Sequence, residues 1–148
     1  ERAQALAKTR PDARAVTDLK AAIGSADIIC TSTMSTSPVL QGSWLQEGQH
    51  VDLIGAYRPD MREADDQALQ RARVFVDSFD TTLDHIGELK IPLSSGALRR
   101  ADVQADYYSE RGFQRGSERD ITLFKNGGGA HLDLMTARYI MQQWSSAA

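Results

Sequence analysis

Two kinds of hydrophobic run alternate along the chain. The short, continuous ones are Ile28-Ile29-Cys30-Thr31, His50-Val51-Asp52-Leu53-Ile54, Val74-Phe75-Val76-Asp77 and Ile121-Thr122-Leu123-Phe124. They are rich in β-branched and aromatic residues, and their continuous apolarity predicts strands covered on both faces, as in a parallel sheet. Between them lie stretches whose apolar residues recur every three or four positions, the spacing of a helix with one buried face. The pattern predicts strands over 13–16, 27–33, 50–54, 74–77 and 121–124. Helices are predicted over 1–8, from a Thr17 cap to Gly24, over 64–72, from a Ser78 cap to a stop at Gly87, and over 130–144. The inner face of the third helix is Ala64, Ala68, Leu69 and Ala72, and in the last helix Leu134, Ala137, Met141 and Trp144 recur at helical spacing. One helical turn is expected over 42–45, a loop or short strand around Pro92, and a helix over 102–112.

The order β-α-β-loop-β-α-β-α followed by a final β-α is that of an α/β protein. Its parallel sheet carries helices on both faces, joined by right-handed crossovers. All strand carboxyl ends then share one edge, where ligands of such sheets bind. That edge gathers residues 33–36, 55–58, Asp77-Ser78 and 126–129. Three of these loops are made of small residues, which let a backbone approach a ligand and present N–H groups to it. Any one of them is equally well explained by turn formation. Their convergence on one edge is what points to a nucleotide-like ligand. Asn126-Gly127-Gly128-Gly129 follows a strand and opens a helix, but Leu132 stands where the dinucleotide fingerprint needs its last glycine, and no Walker motif is present.

Composition narrows the function classes. With 148 residues, 41% hydrophobic and 25% charged, the chain suits one globular domain. A net charge of −3 argues against a nucleic-acid partner. The cluster Arg99, Arg100, Arg111, Arg115 and Arg119 is interleaved with acids and reads as a solvated surface. No run is long enough to cross a membrane. Cys30 is the single cysteine, so no disulfide forms within the chain; a buried, inert thiol in a reducing compartment, the cytoplasm, is expected. His50, His85 and His131 lack ligand spacing, and no metal site is expected. Asp52 is a charge inside an apolar strand, which calls for a partner or an edge position.

Specific words along the chain carry a resemblance. Ala26-Asp27-Ile28-Ile29 is followed by Thr33 through Pro38-Val39-Leu40, then Gly42-x-Trp44-Leu45-x-x-Gly48-x-His50. The loop Ile54-Gly55-Ala56-Tyr57-Arg58-Pro59-Asp60-Met61-Arg62-Glu63 comes next, then Val76-Asp77-Ser78, Gly87-Glu88-Leu89 with Ile91-Pro92-Leu93, and Thr122-Leu123-Phe124-Lys125. In order and spacing, from about residue 26 to 141, this resembles the NAD(P)-binding domain of the ornithine cyclodeaminase/mu-crystallin family, closer to its mu-crystallin and imine-reductase type. The resemblance implies a Rossmann-like fold truncated at its N-terminal side. Residues 1–148 are then a partial NAD(P)-binding domain, with the glycine-rich fingerprint and the substrate and dimerisation domain absent from this chain. It implies an enzyme that oxidises amino acids or reduces cyclic imines with NAD or NADP, paired as a homodimer through the missing domain; this piece alone should not catalyse.

By the same analogy Thr33, Met34 and Ser35 line the cofactor path, and Ile54 and Gly55 approach the nicotinamide ring. Asn126 and Gly127 correspond to a Ser-apolar pair near that ring. Tyr57 is counted with the cofactor contacts and Arg58 with the substrate contacts. Tyr57 also stands where the cyclodeaminases carry an Asp, and a phenol does not replace a carboxylate base near neutral pH. Ornithine cyclisation is therefore not expected, and no residue of this chain is assigned a catalytic role. A non-catalytic, mu-crystallin-like protein that holds a small ligand or NADPH is the alternative.

Overall fold

The computed structural model describes residues 1–110 and 112–147. Five strands form one parallel sheet: β1 (Ile28–Thr31), β2 (His50–Leu53), β3 (Ala72–Val76), β4 (Val103–Ala105) and β5 (Ile121–Lys125). Their spatial order is β1-β2-β5-β3-β4, so the last strand of the chain lies at the centre.

Strand register sorts the side chains. Ile29, Val51, Leu123, Val74 and Val103 stand opposite one another across the sheet and point to one face. Cys30, Asp52, Phe124 and Phe75 are aligned on the other, because successive residues alternate sides; the pairing of β3 with β4 shifts register between Val74 and Phe75. The first face is the main core. Leu40, Leu45, Ala64, Ala68, Leu69, Leu89 and Leu98 pack on it, from the connections, from α3 (Asp66–Arg71) and from α5 (Gly87–Ser95). Asp65 caps α3 by accepting from Ala68 N at 2.9 Å and also accepts from Gly42 N at 2.8 Å. One carboxylate thus ties the helix start to the tight helical turn Gly42–Trp44.

The second face carries aromatic rings. Phe75, Phe113, Phe124 and Tyr107 meet edge to face or tilted, with centroids 5.1–5.7 Å apart. The helix α6 (Ala130–Ala147) starts beside them, its His131 ring edge-on to Tyr107 and Tyr108. Toward β1 this face is open: Ile28 is 69% exposed and Cys30 is exposed too. The buried thiol expected from the sequence is therefore corrected. Cys30 sits in an apolar run, but on the uncovered side of an edge strand.

Other expectations change for physical reasons. Residues 13–16 join no strand. Asp18 rather than Thr17 caps α2 (Leu19–Gly24), accepting from Ala21 N. The helix after Ser78, α4 (Phe79–Thr82), is one turn long, and Gly87 opens α5 instead of closing α4. Pro92 lies inside α5, where a loop or strand was expected, and removes only the one amide that would reach Glu88 O. Residues 102–112 form β4 and turns rather than a helix; Arg111, part of that span, lies outside the described residues. The short helix α1 (Arg2–Ala7) buries nothing. The helically spaced apolar residues of α6 are on the outside, with Leu134 51%, Met141 64% and Trp144 75% exposed.

Candidate functional site at the carboxyl edge of the sheet

Because β1, β2 and β5 are neighbours, the turns that leave them emerge side by side. Ile54 N donates to Thr31 O at 2.9 Å, and Asn126 N donates to Leu53 O at 3.0 Å. Residues 33–35, 54–57 and 126–127 therefore share one rim. Met34, Ile54 and Tyr57 are 72%, 42% and 58% exposed along it. Ser35 accepts from Arg62 N through its carbonyl, and its hydroxyl donates to Ser37 O. Arg58, the residue assigned to substrate, is engaged by Asp60 in a two-point ion pair of 3.0 and 2.6 Å on the surface.

The glycines of the rim serve a different purpose from the one small residues suggest. A Cβ on Gly55 would lie 2.1 Å from both Thr33 N and Thr33 O, so the two turns touch backbone to backbone. Their amides are also occupied: Thr33 N donates to Glu63 Oε1 at 2.5 Å and Gly55 N to Glu63 Oε2 at 2.8 Å. Gly127 is similarly crowded, with its would-be Cβ 2.8 Å from Thr82 Oγ1 and 3.0 Å from Asp77 Oδ1. These positions need glycine so that turns can stack on one another, and the Thr33 and Gly55 N–H groups are not free to hold a ligand.

Beneath the rim lies a buried polar layer. Glu63, Glu88, Asp77 and Lys125 have no solvent exposure. Glu88 accepts from Glu63 N at 2.7 Å and from Ala64 N at 2.9 Å. Lys125 Nζ donates to Leu53 O at 3.0 Å. Asp77 accepts from Ser78 N and Thr82 Oγ1, while His131 Nε2 stands 3.9 Å from its second oxygen. Burial pushes the Glu88 carboxyl up against the pull of its two amide donors. Burial pulls the Lys125 ammonium down, while Glu88, Glu63, Asp77 and Asp52 act the other way. For Glu63 burial is again the largest effect, but the hydrogen bonds from Thr33 and Gly55 outweigh it and hold the carboxyl below its ordinary range.

The sequence reading singled out the rim and missed this layer. Its one charge flagged inside a strand, Asp52, points to the other face. Asp52 is half-buried there between Cys30 and Phe124, on an interior strand, and among the described residues no ion pair joins it. It has neither the partner nor the edge position expected. Lys125, which closes an apolar strand, was the available signal: a cation there requires acids above the sheet edge. Of the histidines, His50 meets Thr122 Oγ1 at 2.8 Å and burial lowers its pKa, while His85 is exposed. Among the described residues no group of three His, Cys, Asp or Glu is placed to hold a metal, and no helix is long and apolar enough to cross a membrane.

Comparison with known proteins places this geometry in a family. The chain is 55% identical over 132 residues to a Delta(1)-pyrroline-2-carboxylate reductase of Paracoccus denitrificans, a match covering 87% of this chain and 42% of the relative. It is 36% identical to the ketimine reductase mu-crystallin of Mus musculus, over 99% of this chain and 45% of that one. The solved structure of the Thermococcus litoralis Delta(1)-pyrroline-2-carboxylate reductase with NADH and L-proline superposes with a TM-score of 0.81 at 28% identity. That match covers 92% of this chain and 43% of that one. The chain thus spans less than half the length of the relatives it matches. The mu-crystallin among them is named a reductase, so these relatives lend no support to the non-catalytic alternative. The model of the ornithine cyclodeaminase/mu-crystallin family matches residues 2–148, and the chain belongs to that family.

Proposed function

We propose that the intact protein is an NAD(P)-dependent oxidoreductase that reduces a cyclic imine carboxylate to the amino acid, or runs the reverse oxidation. Residues 1–148 supply the nicotinamide side of its cofactor site. The observation that carries this reading is the shared rim of three turns, Thr33 to Ser35, Ile54 to Tyr57 and Asn126-Gly127, in a chain whose relatives include pyrroline-carboxylate and ketimine reductases. The dinucleotide supplies the hydride. On this reading Thr33, Met34 and Ser35 would line its path, Ile54 and Gly55 would approach the nicotinamide ring with Asn126 and Gly127 near it, and Tyr57 would contact the cofactor. The Glu63 carboxylate below the first two turns repels phosphate, which favours the phosphate-free end of the cofactor at this rim.

Arg58 reaches the substrate carboxylate by exchanging Asp60 for it, and Tyr57 leaves the loop without the acid that ornithine cyclisation uses. We assign the glycine fingerprint to strands that continue the sheet along the free edge of β1. The substrate domain, a homodimer and a cytoplasmic setting belong to the same proposal. The test is an assay of the intact protein with NADH and NADPH against pyrroline carboxylate and other cyclic imines, following loss of reduced-nicotinamide absorbance. Turnover is the expected result. Binding of the cofactor without turnover across the panel would support the non-catalytic alternative, and absence of binding would end the reading.

A further inference from the structure

We propose that Glu63 is a positioning residue for the cofactor rim, its carboxylate fixing the spacing between the Thr33 and Gly55 turns; the inference rests on the functional reading above. The two turns follow different strands and touch at the Gly55 backbone, where there is no side chain to interlock them. One carboxylate spans the gap, with one oxygen on each amide. Charge-assisted bonds of this kind are about twice as strong as neutral ones.

The bridging side chain is itself anchored. Its own N–H is taken by Glu88, and its carbonyl accepts from Val39 N and Leu40 N at 2.8 and 2.9 Å. Glu63 therefore joins four segments: the two rim turns, the 39–40 connection and α5 through Glu88. A carboxylate is required chemically, because both partners are donors. A glutamine in its place turns an NH2 toward one of the amides and leaves that amide without an acceptor.

The experiment uses the intact protein and titrates NADH and NADPH by fluorescence, alongside steady-state kinetics and thermal unfolding. Glu63→Gln should weaken binding of the reduced dinucleotide at least tenfold and raise its KM by a similar factor, with the imine KM within twofold of wild type. Ile121→Ala, a cavity in the core at the amino end of β5 and so at the opposite edge of the sheet from the rim, should lower thermal stability at least as much yet keep cofactor affinity within twofold. Glu63→Asp keeps the anion but reaches only one turn, and should fall between wild type and Glu63→Gln; it serves as the informative variant where the glutamine does not fold. A folded Glu63 variant that binds the dinucleotide like wild type overturns the proposal, as does an Ile121→Ala protein that loses cofactor affinity equally. Failure of the wild-type protein to bind either dinucleotide instead overturns the functional reading, and this outcome is visible before any variant is made.

Discussion

Lys125 and Gly55 show how single residues at this rim divide stability from function. The Lys125 ammonium is buried, donates to Leu53 O and is the cation among Glu63, Glu88 and Asp77. Lys125→Met keeps much of the volume but leaves the carbonyl without its donor and the acids without compensation. Groups of this kind cost several kcal/mol when half of the arrangement is removed, and we expect a loss of about 3 kcal/mol, read from the midpoint of urea unfolding. Gly55→Ala meets the Thr33 backbone, which has no rotamer by which to yield. It should cost on the order of 3 kcal/mol and weaken dinucleotide binding along with stability. Tyr57 is the contrasting case, since its ring is 58% exposed. Tyr57→Ala should leave stability within about 0.5 kcal/mol of wild type, so any change in its cofactor or imine KM reports a contact in the site.

At the scale of elements, Asp65 is worth more than its cap. Its carboxylate holds both the first turn of α3 and the Gly42 turn, whose would-be Cβ would meet the Ala68 amide at 2.2 Å. Asp65→Ala should therefore cost about 2 kcal/mol, the upper end for losing a cap, with the gap to wild type measured in the same urea titration. The elements legible in the sequence were the strands β1, β2, β3 and β5, the helical turn Gly42–Trp44, and the helices α1, α2, α6 and α3, the last with its Asp66 and Arg71 dipole charges. The misses have local reasons. β4 is three residues long, too short for its alternation of Val103, Gln104 and Ala105 to stand out from the helix-like spacing of nearby alanines. α5 was hidden by Pro92, whose missing amide matters less than its burial under the sheet. The spacing on α6 marked a helix but not its surroundings, because periodicity reports a face and not what covers it. The rim loops were legible as small-residue turns. Their wiring was not, since Glu63 lies eight residues beyond Gly55 and thirty beyond Thr33 and looks like an ordinary surface acid.

For the molecule as a whole, the buried acids set how stability responds to pH, and they act in opposite senses. Glu63 is held below its ordinary value of 4.5, and Asp106 below 3.8, the latter by donors from Ser109, Phe79 and Tyr108 that overcome its burial. A carboxyl depressed by folding contributes stability that is complete above the unfolded pKa and disappears as pH falls through the folded one. Glu88 is raised instead, so the native state takes up its proton first, and stability rises as pH falls through that raised value toward about 4.5. These acids add stability on mild acidification and remove it steeply in stronger acid, while His50, whose pKa burial lowers, opposes the gain as pH falls through its ordinary value of 6.5. Urea midpoints measured across pH report both effects. Glu88→Gln should flatten the gain on mild acidification, and Glu63→Gln should flatten the loss below about pH 4 while leaving the Asp106 share of it. The readout for Glu88 is the difference between wild type and Glu88→Gln: if that difference does not grow on mild acidification, the Glu88 proton is not bound more tightly in the folded protein, and the layer beneath the rim carries its charges differently from the arrangement described.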